Sequence, residues 1–167
     1  MRLRLAQDYD LDRINSMFKE LISDMHRRDV TIWNDYYPFF MFQEDIQKER
    51  MYLLENDEDI VSVFVLAKDN NGEASIEWKE TTKNVFYLDR FAVNVKYLQK
   101  GYGAMSLRLA EGEAKRLGAK YMRLFVVPCN VPAIKLYEKS NYEIRKGLYI
   151  LEEDNTITMY GYEKELI

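Results

Sequence analysis

The fold is decided by one stretch of fourteen residues, which reads Phe91-Ala92-Val93-Asn94-Val95-Lys96-Tyr97-Leu98-Gln99-Lys100-Gly101-Tyr102-Gly103-Ala104. Its first part has the composition of a β-strand, and its last part carries two glycines separated by one residue. Glycine lets the backbone adopt positive φ and approach a ligand closely. A helix that begins at such a turn presents unpaired N–H groups and the positive end of its dipole. The stretch predicts a strand, a turn and a helix that can bind pyrophosphate, with a purely structural turn as the alternative.

The spacing of the glycines excludes the two commonest phosphate motifs. A P-loop needs Gly-Lys followed by Ser or Thr, which is absent from this turn. A dinucleotide-binding fingerprint needs a third glycine three residues after the second, and Ser106 occupies that place.

Outward from this stretch, the apolar spacing predicts alternating strands and helices. Four helices are predicted. The first carries the apolar stripe from Leu11 to Met25, and the others cover Gln43 to Arg50, the residues from the glycine turn to Gly118, and Pro132 to Ser140. The long helix after the turn is expected to place Leu107, Ala110, Ala114 and Leu117 inward. The predicted strands are Leu3 to Leu5, Met51 to Glu55, Ile60 to Lys68, Ala74 to Glu80, Asn84 to Asn94, Tyr121 to Val127, Tyr142 to Leu151 and Thr156 to Glu163, with the last two flanking the turn Glu153-Asp154-Asn155.

Composition narrows the class of protein. A chain of 167 residues with 47% apolar residues predicts one folded domain over residues 1–167. The net charge of −4 argues against a nucleic-acid partner, and no apolar run approaches the length of a membrane span. Cys129 and His26 are single, which excludes an intrachain disulfide and a metal site built from several Cys or His. We therefore expect a cytoplasmic protein without a metal.

An aromatic-rich segment interrupts the first half of the chain. Trp33, Tyr36, Tyr37, Phe39, Phe40 and Phe42 crowd around Pro38, where apolar periodicity is lost. Such a segment is either a lid over a pocket or a loop that plugs the core.

The stretch Phe91 to Ala104 resembles motif A of the GNAT family of N-acetyltransferases, which has a strand, an Arg/Gln-x-x-Gly-x-Gly/Ala turn and a helix. Downstream, Asn130-Val131-Pro132-Ala133-Ile134-Lys135-Leu136-Tyr137-Glu138-Lys139-Ser140-Asn141-Tyr142 resembles its motif B. Two positions depart from the family pattern. Leu98 stands where Arg or Gln is usual, and Asn141 stands where Gly is usual. The resemblance implies an α/β fold with a mixed, mostly antiparallel central sheet of six to seven strands and about four helices.

The resemblance also implies a site for acetyl-CoA. The backbone amides of the turn would hold its pyrophosphate, from Leu98 through Gln99, Lys100, Gly101, Tyr102 and Gly103 to Ala104. The backbone of Phe91, Ala92 and Val93 would pair with the pantetheine arm like an added strand, and Asn130 would help to fix that arm. Asn130 can also serve as a helix N-cap.

Acyl transfer from a thioester to an amine needs a base for the amine, a donor for the oxyanion and a proton for the leaving thiolate. Tyr137 occupies the position at which the family often has its general acid. For the base, the resemblance favours Asp89, which shares a strand face with Tyr87, and Glu77 is a weaker candidate. The oxyanion donor is expected to be a backbone N–H near Phe91 to Val93.

The remaining reactive side chains have simpler interpretations. His26 lies at the polar end of the first helix and is expected to be a solvated surface residue. Cys129 has no activating partner in the sequence, which disfavours a covalent acetyl-cysteine route. A cationic acceptor is favoured by the acidic Asp35, Glu77 and Asp89, and an apolar one by the aromatic segment.

The sequence thus predicts an acetyl-CoA-dependent N-acetyltransferase. Its acceptor would be a primary amine of a small molecule (a polyamine, an aminoglycoside or an amino-acid-like compound) or of a peptide, attacking directly in a ternary complex. The alternative is a non-catalytic acyl-CoA-binding sensor. Dimers are frequent in the family, so the resemblance leaves a homodimer open.

Overall fold

The computed structural model describes residues 1–81, 84–151 and 157–167. These residues form four α-helices, which are α1 (Leu11–Arg27), α2 (Phe39–Gln47), α3 (Tyr102–Arg116) and α4 (Val131–Lys139). They also form ten strands, which are β1 (Arg2–Leu5), β2 (Met51–Glu55), β3 (Ile60–Ala67), β4 (Ile76–Glu77), β5 (Val85–Val93), β6 (Tyr121–Val126), β7 (Glu143–Ile144), β8 (Lys146–Gly147), β9 (Tyr149–Leu151) and β10 (Ile157–Glu165).

The contacts within the chain divide it into two compact units. The first contains residues 1–66 and 90–109, and the second contains residues 67–89 and 110–167. Each boundary falls inside a regular element, namely β3, β5 or α3. The single domain over residues 1–167 stays a prediction.

In the first unit, α1 packs its apolar stripe into a core shared with two strands. β1 pairs with β2, and β2 with β3, both antiparallel. All eight residues of β3 are buried, including Ser62, which stands among apolar residues. The stripe contributes Ile14 and Phe18, whose spacing of four puts them on one helix face. The ring of Phe18 lies 4.6 Å from that of Phe42 on α2, so both helices join one core.

The second unit is built on a ladder around β10. β6 and β10 pair antiparallel over six residues, and β10 also pairs antiparallel with β7 and β9. The first residues of β5 pair parallel with β6, from Val85–Tyr121 to Tyr87–Arg123. β4 and β8 form a separate antiparallel ribbon. The rings of Tyr87 and Phe125 stack with their centroids 6.2 Å apart in the core of this unit.

These elements confirm a mixed α/β fold with a mostly antiparallel sheet and four helices. Two predicted elements are wrong in their extent. α2 begins at Phe39, not Gln43, because Phe39, Phe42 and Ile46 follow a spacing of three and four and already form the helix's inner face. β4 has only two residues, because a 3-10 helix occupies Glu73–Ser75.

Other differences concern the C-terminal half. The predicted strand from Tyr142 to Leu151 is three short strands, β7 to β9, of which β7 and β9 pair with β10. Leu117 is 42% exposed instead of inward, because α3 has already ended at Arg116. The predicted turn Glu153-Asp154-Asn155 lies outside the described residues.

Candidate active site

The end of β5 leads into the glycine turn within the first unit. Ala92 is buried in the core, whereas Phe91 and Val93 are half-buried. Arg90 has φ = 48°, so the regular alternation of side chains along β5 is interrupted at this residue. The strand face shared by Tyr87 and Asp89 lies before Arg90 and stays a prediction.

Asn94 fixes the entry to the turn with hydrogen bonds from its backbone and its side chain. Its backbone N–H donates to the Val61 carbonyl at 2.9 Å, and its side-chain amide donates to the Ile60 carbonyl at 2.8 Å. The side-chain oxygen accepts from the Lys96 N–H at 3.0 Å and caps a short 3-10 helix, Val95–Tyr97. The turn therefore starts from a buried and fully engaged side chain.

The turn itself contains two residues with left-handed backbone. Gln99 has φ = 59° and Gly101 has φ = 83°. No atom lies within 4 Å of a Cβ built on Gly101, so its φ, and not crowding, calls for glycine there. Left-handed residues in a turn aim successive N–H groups towards one concave side, which suits an anion.

The start of α3 adds further N–H donors to this turn. The N–H of Met105 donates to the Gly101 carbonyl at 3.1 Å, so the N–H groups of Tyr102, Gly103 and Ala104 precede the hydrogen bonds of the helix. Lys100 is exposed beside them, and its ammonium group donates to the Lys96 carbonyl at 2.8 Å. These backbone donors and this cation fit the pyrophosphate of a CoA thioester.

In the second unit, α4 carries two of the predicted residues. The side chain of Asn130 accepts from the Ala133 N–H at 3.4 Å, which confirms that it caps the helix. Tyr137 lies two turns further on, buried, with its ring 5.9 Å from that of Tyr142. Burial raises the pKa of Tyr137 well above its ordinary value.

The end of α4 follows the sequence prediction for Asn141. This residue has φ = 65°, which confirms that Asn takes the left-handed position usual for Gly. The N–H of Tyr142 then donates back to the Tyr137 carbonyl at 3.0 Å. This bond ties the last turn of the helix to the residue that carries the predicted general acid.

Asp89 is held by the loop Asn70-Asn71-Gly72, whose residue types indicate a turn. The side-chain amide of Asn70 donates to the two carboxylate oxygens of Asp89 at 3.2 and 3.4 Å. The oxygen of the same amide accepts from the Gly72 N–H at 2.9 Å, so its NH₂ group faces Asp89. A Cβ on Gly72 would lie 2.4 Å from the Tyr149 ring. Close packing thus fixes the loop, and the Asn-Asn-Gly letters are the one signal that pointed to it.

Tyr87 belongs to a buried cluster around Arg123, which the sequence analysis missed. Arg123 is 2% exposed, donates to the Tyr87 hydroxyl at 3.2 Å, and pairs with Glu163 at 2.9 Å. Its guanidinium lies 4.4 Å from the centre of the Trp78 ring. Burial raises the pKa of Tyr87 to about 12, against the opposing hydrogen bond from Arg123. An arginine inside the apolar β6 was the available signal.

The other candidates lie on the surface. Glu77 pairs with exposed Lys146 at 3.0 Å, Cys129 is exposed, and His26 is exposed with its Nε2 2.8 Å from the Trp33 carbonyl oxygen. The aromatic segment contributes Phe42 to the core, as expected of a loop that plugs it, whereas Tyr36 is 69% exposed. A lid over a pocket stays a prediction.

Among the residues that the structure describes, no group of three His, Cys, Asp or Glu side chains is placed to hold a metal ion. Within residues 1–81, 84–151 and 157–167, none of the helices has both the length and the apolar character needed to cross a membrane.

Comparison with known proteins shows the family to which the chain belongs. A family model of the acetyltransferase (GNAT) family matches residues 15–142, so the chain belongs to the GNAT acetyltransferase family. Comparison of the sequence with curated proteins gives no match. The family uses acyl-CoA generally, and the chain is accordingly an acyltransferase of the GNAT type.

Solved structures show the same fold. A GNAT-family acetyltransferase from Streptococcus agalactiae 2603 has a TM-score of 0.81 at 18% identity, over 98% of this chain and 94% of that one. One from Listeria monocytogenes 4b F2365 has a TM-score of 0.76 at 17% identity, over 99% and 94%. A ribosomal-protein-alanine N-acetyltransferase from Brucella melitensis has a TM-score of 0.70 at 15% identity, over 99% and 100%.

Proposed function

We propose that the protein transfers an acetyl group from acetyl-CoA to a primary amine, by direct attack of the amine in a ternary complex. The observation that carries the proposal is the turn before α3, where left-handed Gln99 and Gly101 precede the free helical N–H groups. A turn of this geometry suits the pyrophosphate of CoA, and it is the turn to which the motif A resemblance assigns that group.

The proposed chemistry uses three groups of this chain. Asp89 takes a proton from the ammonium form of the acceptor, and the freed amine attacks the thioester carbonyl carbon. A backbone N–H near Phe91 to Val93 stabilises the oxyanion. When the C–S bond breaks, the second proton leaves the nitrogen for the departing thiolate, so CoA leaves as the thiol, and the Tyr137 hydroxyl donates a hydrogen bond to the departing sulfur. The pairing of β5 with β6 ends at Tyr87, before the residues that we assign to the pantetheine arm.

The proposed acceptor is a small-molecule amine or a peptide N-terminus. Asp89 supports a cationic amine, because a carboxylate attracts the ammonium form and then serves as its base. Glu77 contributes less to this argument, since it pairs with Lys146. Peptides belong in the proposal because one structural neighbour is named a ribosomal-protein-alanine N-acetyltransferase.

The test is thiol release from acetyl-CoA by the purified protein, measured with polyamines, aminoglycosides, amino acids and peptides with free N-termini. Release with one class establishes the activity and names the acceptor. Tight CoA binding without release for any amine would overturn catalysis in favour of a sensor. Absence of CoA binding, measured by calorimetry, would overturn the assignment of the glycine turn.

Location and assembly remain predictions. We expect the protein in the cytoplasm, and we expect light scattering to show whether it forms the homodimer that the family resemblance leaves open.

A further inference from the structure

Arg90 holds a backbone conformation that is unusual for its residue type. It lies inside β5, yet its φ is 48°, in the left-handed region that side chains with a Cβ rarely adopt. Such a conformation persists only when its surroundings hold it, and it tends to occur where it serves function. The question is therefore what holds Arg90.

The restraint comes from α2. Asp45 is fully buried on this helix, and its Oδ2 lies 2.6 Å from the Arg90 Nε. The Nη2 of Arg90 donates to Oδ1 of Asp45 at 3.0 Å. The guanidinium thus makes one hydrogen bond and one close ionic contact with the carboxylate, and together these restrain its position.

A second arginine keeps Asp45 in place. The Arg50 Nε donates to Oδ1 of Asp45 at 2.6 Å, and the Arg50 N–H donates to the Asp45 carbonyl at 3.1 Å. The Arg50 carbonyl accepts from the N–H of Leu66 at 2.9 Å, which ties it to β3. If Arg90 turned to an ordinary strand conformation, its side chain would leave this buried carboxylate without one of its two cations.

We propose that Asp45 and Arg90 act as a clamp that holds the left-handed backbone of Arg90 and so directs Phe91–Val93 towards the pantetheine arm of acetyl-CoA. The inference rests on the proposed function, which assigns that arm to these three residues. Asp45 and Arg90 are positioning residues, because they act through the backbone that follows them and not on the reacting atoms.

The test separates the effect of the left-handed backbone at residue 90 from the effect of the ion pair between Asp45 and Arg90. Asp45→Leu/Arg90→Gly removes both charges, but glycine adopts positive φ without strain. Asp45→Leu/Arg90→Val removes the same charges and places a β-branched residue, for which positive φ is strongly disfavoured, at the same position. Arg50 is partly exposed and can turn its charge to solvent in both variants.

Two readouts are measured, namely the ¹⁵N–¹H shifts of residues 91–93 and the affinity for CoA by calorimetry. We expect the Gly variant to keep the shifts and the affinity of the wild type, and the Val variant to change the shifts and bind CoA about tenfold more weakly. Wild-type shifts and affinity in the folded Val variant would overturn the clamp. So would a folded Gly variant that binds no better than the Val variant.

A replacement variant and the second readout cover two ways in which the experiment could fail. If circular dichroism shows the Val variant to be unfolded, Asp45→Leu/Arg90→Ala replaces it, since alanine also disfavours positive φ. If the wild type itself does not bind CoA, the proposed function and the role of the clamp in CoA binding both fall. The shifts of residues 91–93 in the two variants then still decide whether the clamp holds the backbone.

Discussion

Burial decides what the hydroxyl of Tyr137 can do in the proposed reaction. The sequence suggests a phenol whose pKa matches that of a thiolate. In the structure, burial raises the pKa of Tyr137 well above the ordinary value of about 10. A thiol with a pKa of about 8.5 is then the stronger acid, so full proton transfer from Tyr137 is unfavourable. We expect this residue to donate a hydrogen bond to the thiolate instead of giving up its proton.

The first prediction at this scale concerns Tyr137→Phe. The variant keeps the ring and removes the donor, so kcat should fall about 100-fold while CoA affinity changes little. Steady-state kinetics and calorimetry measure the two effects separately. Tyr142→Phe is the matched control, because the Tyr142 ring is also buried and its centre lies 5.9 Å from that of the Tyr137 ring. We expect kcat to be unchanged in this control. An unchanged kcat for Tyr137→Phe would remove it from the mechanism.

Asp89 carries the second prediction. Asp89→Asn keeps the size of the side chain and its contact with Asn70 but removes the base, so kcat/KM should fall and the acidic limb of its pH profile should disappear. Glu77→Gln is the control, since Glu77 is an exposed carboxylate paired with Lys146. A pH profile that is the same in Asp89→Asn and the wild type would exclude Asp89 as the base.

At the scale of elements, the glycine turn offers a comparison between two identical substitutions. Gly101 and Gly112 both have open space around a built Cβ, but only Gly101 has positive φ, at 83°. Gly101→Ala should lower the free energy of unfolding by about 1 kcal/mol and weaken CoA binding. Gly112 lies inside α3, so Gly112→Ala should raise the free energy of unfolding by about 0.5–1 kcal/mol without affecting CoA binding.

Denaturant unfolding and calorimetry with CoA measure both variants of the turn. Equal effects of the two substitutions on CoA affinity would contradict a role for the backbone geometry at Gly101. A stabilised Gly101→Ala variant would show that its positive φ costs less than the structure implies.

The same elements show what the sequence can predict and what it cannot. Periodicity and turn residues gave α1, the hairpin of β2 and β3, and the strand–turn–helix around Gly101, because these depend on local spacing. The contact of Asn70 with Asp89 joins residues 19 positions apart in sequence, and the buried ion pair of Arg123 with Glu163 joins residues 40 positions apart. No local pattern encodes such pairs, and nothing in the letters around Arg90 signals positive φ.

At the scale of the whole molecule, the burial of tyrosines predicts that the free energy of unfolding falls at alkaline pH. The pKa of Tyr87 is raised to about 12 by burial, while an unfolded tyrosine ionises near 10. Between these values the unfolded state binds fewer protons than the folded state, so the free energy of unfolding falls as pH rises. The contribution of Tyr87 is complete below pH 10 and lost on approaching pH 12.

Tyr87→Phe isolates this effect. The variant should be less stable than the wild type at pH 8, because it loses the hydrogen bond with Arg123, and the gap should narrow by about 1 kcal/mol by pH 11. Guanidinium unfolding of both proteins at pH 8 and pH 11 measures this difference in the free energy of unfolding. Other tyrosines titrate equally in both proteins and cancel in the difference, so a gap independent of pH would contradict the raised pKa.

The two compact units should nevertheless unfold together. Domains of independent stability are usually joined through exposed linkers. Here the boundaries cut β3 between Leu66 and Ala67, β5 between Asp89 and Arg90, and α3 between Leu109 and Ala110. Melting one unit alone would break hydrogen-bonded elements in the other. Scanning calorimetry should therefore give one transition, with an enthalpy of about 120 kcal/mol for this length and a calorimetric-to-van't Hoff ratio near one. Two transitions of about half that enthalpy each would show separate domains and contradict the single-domain prediction.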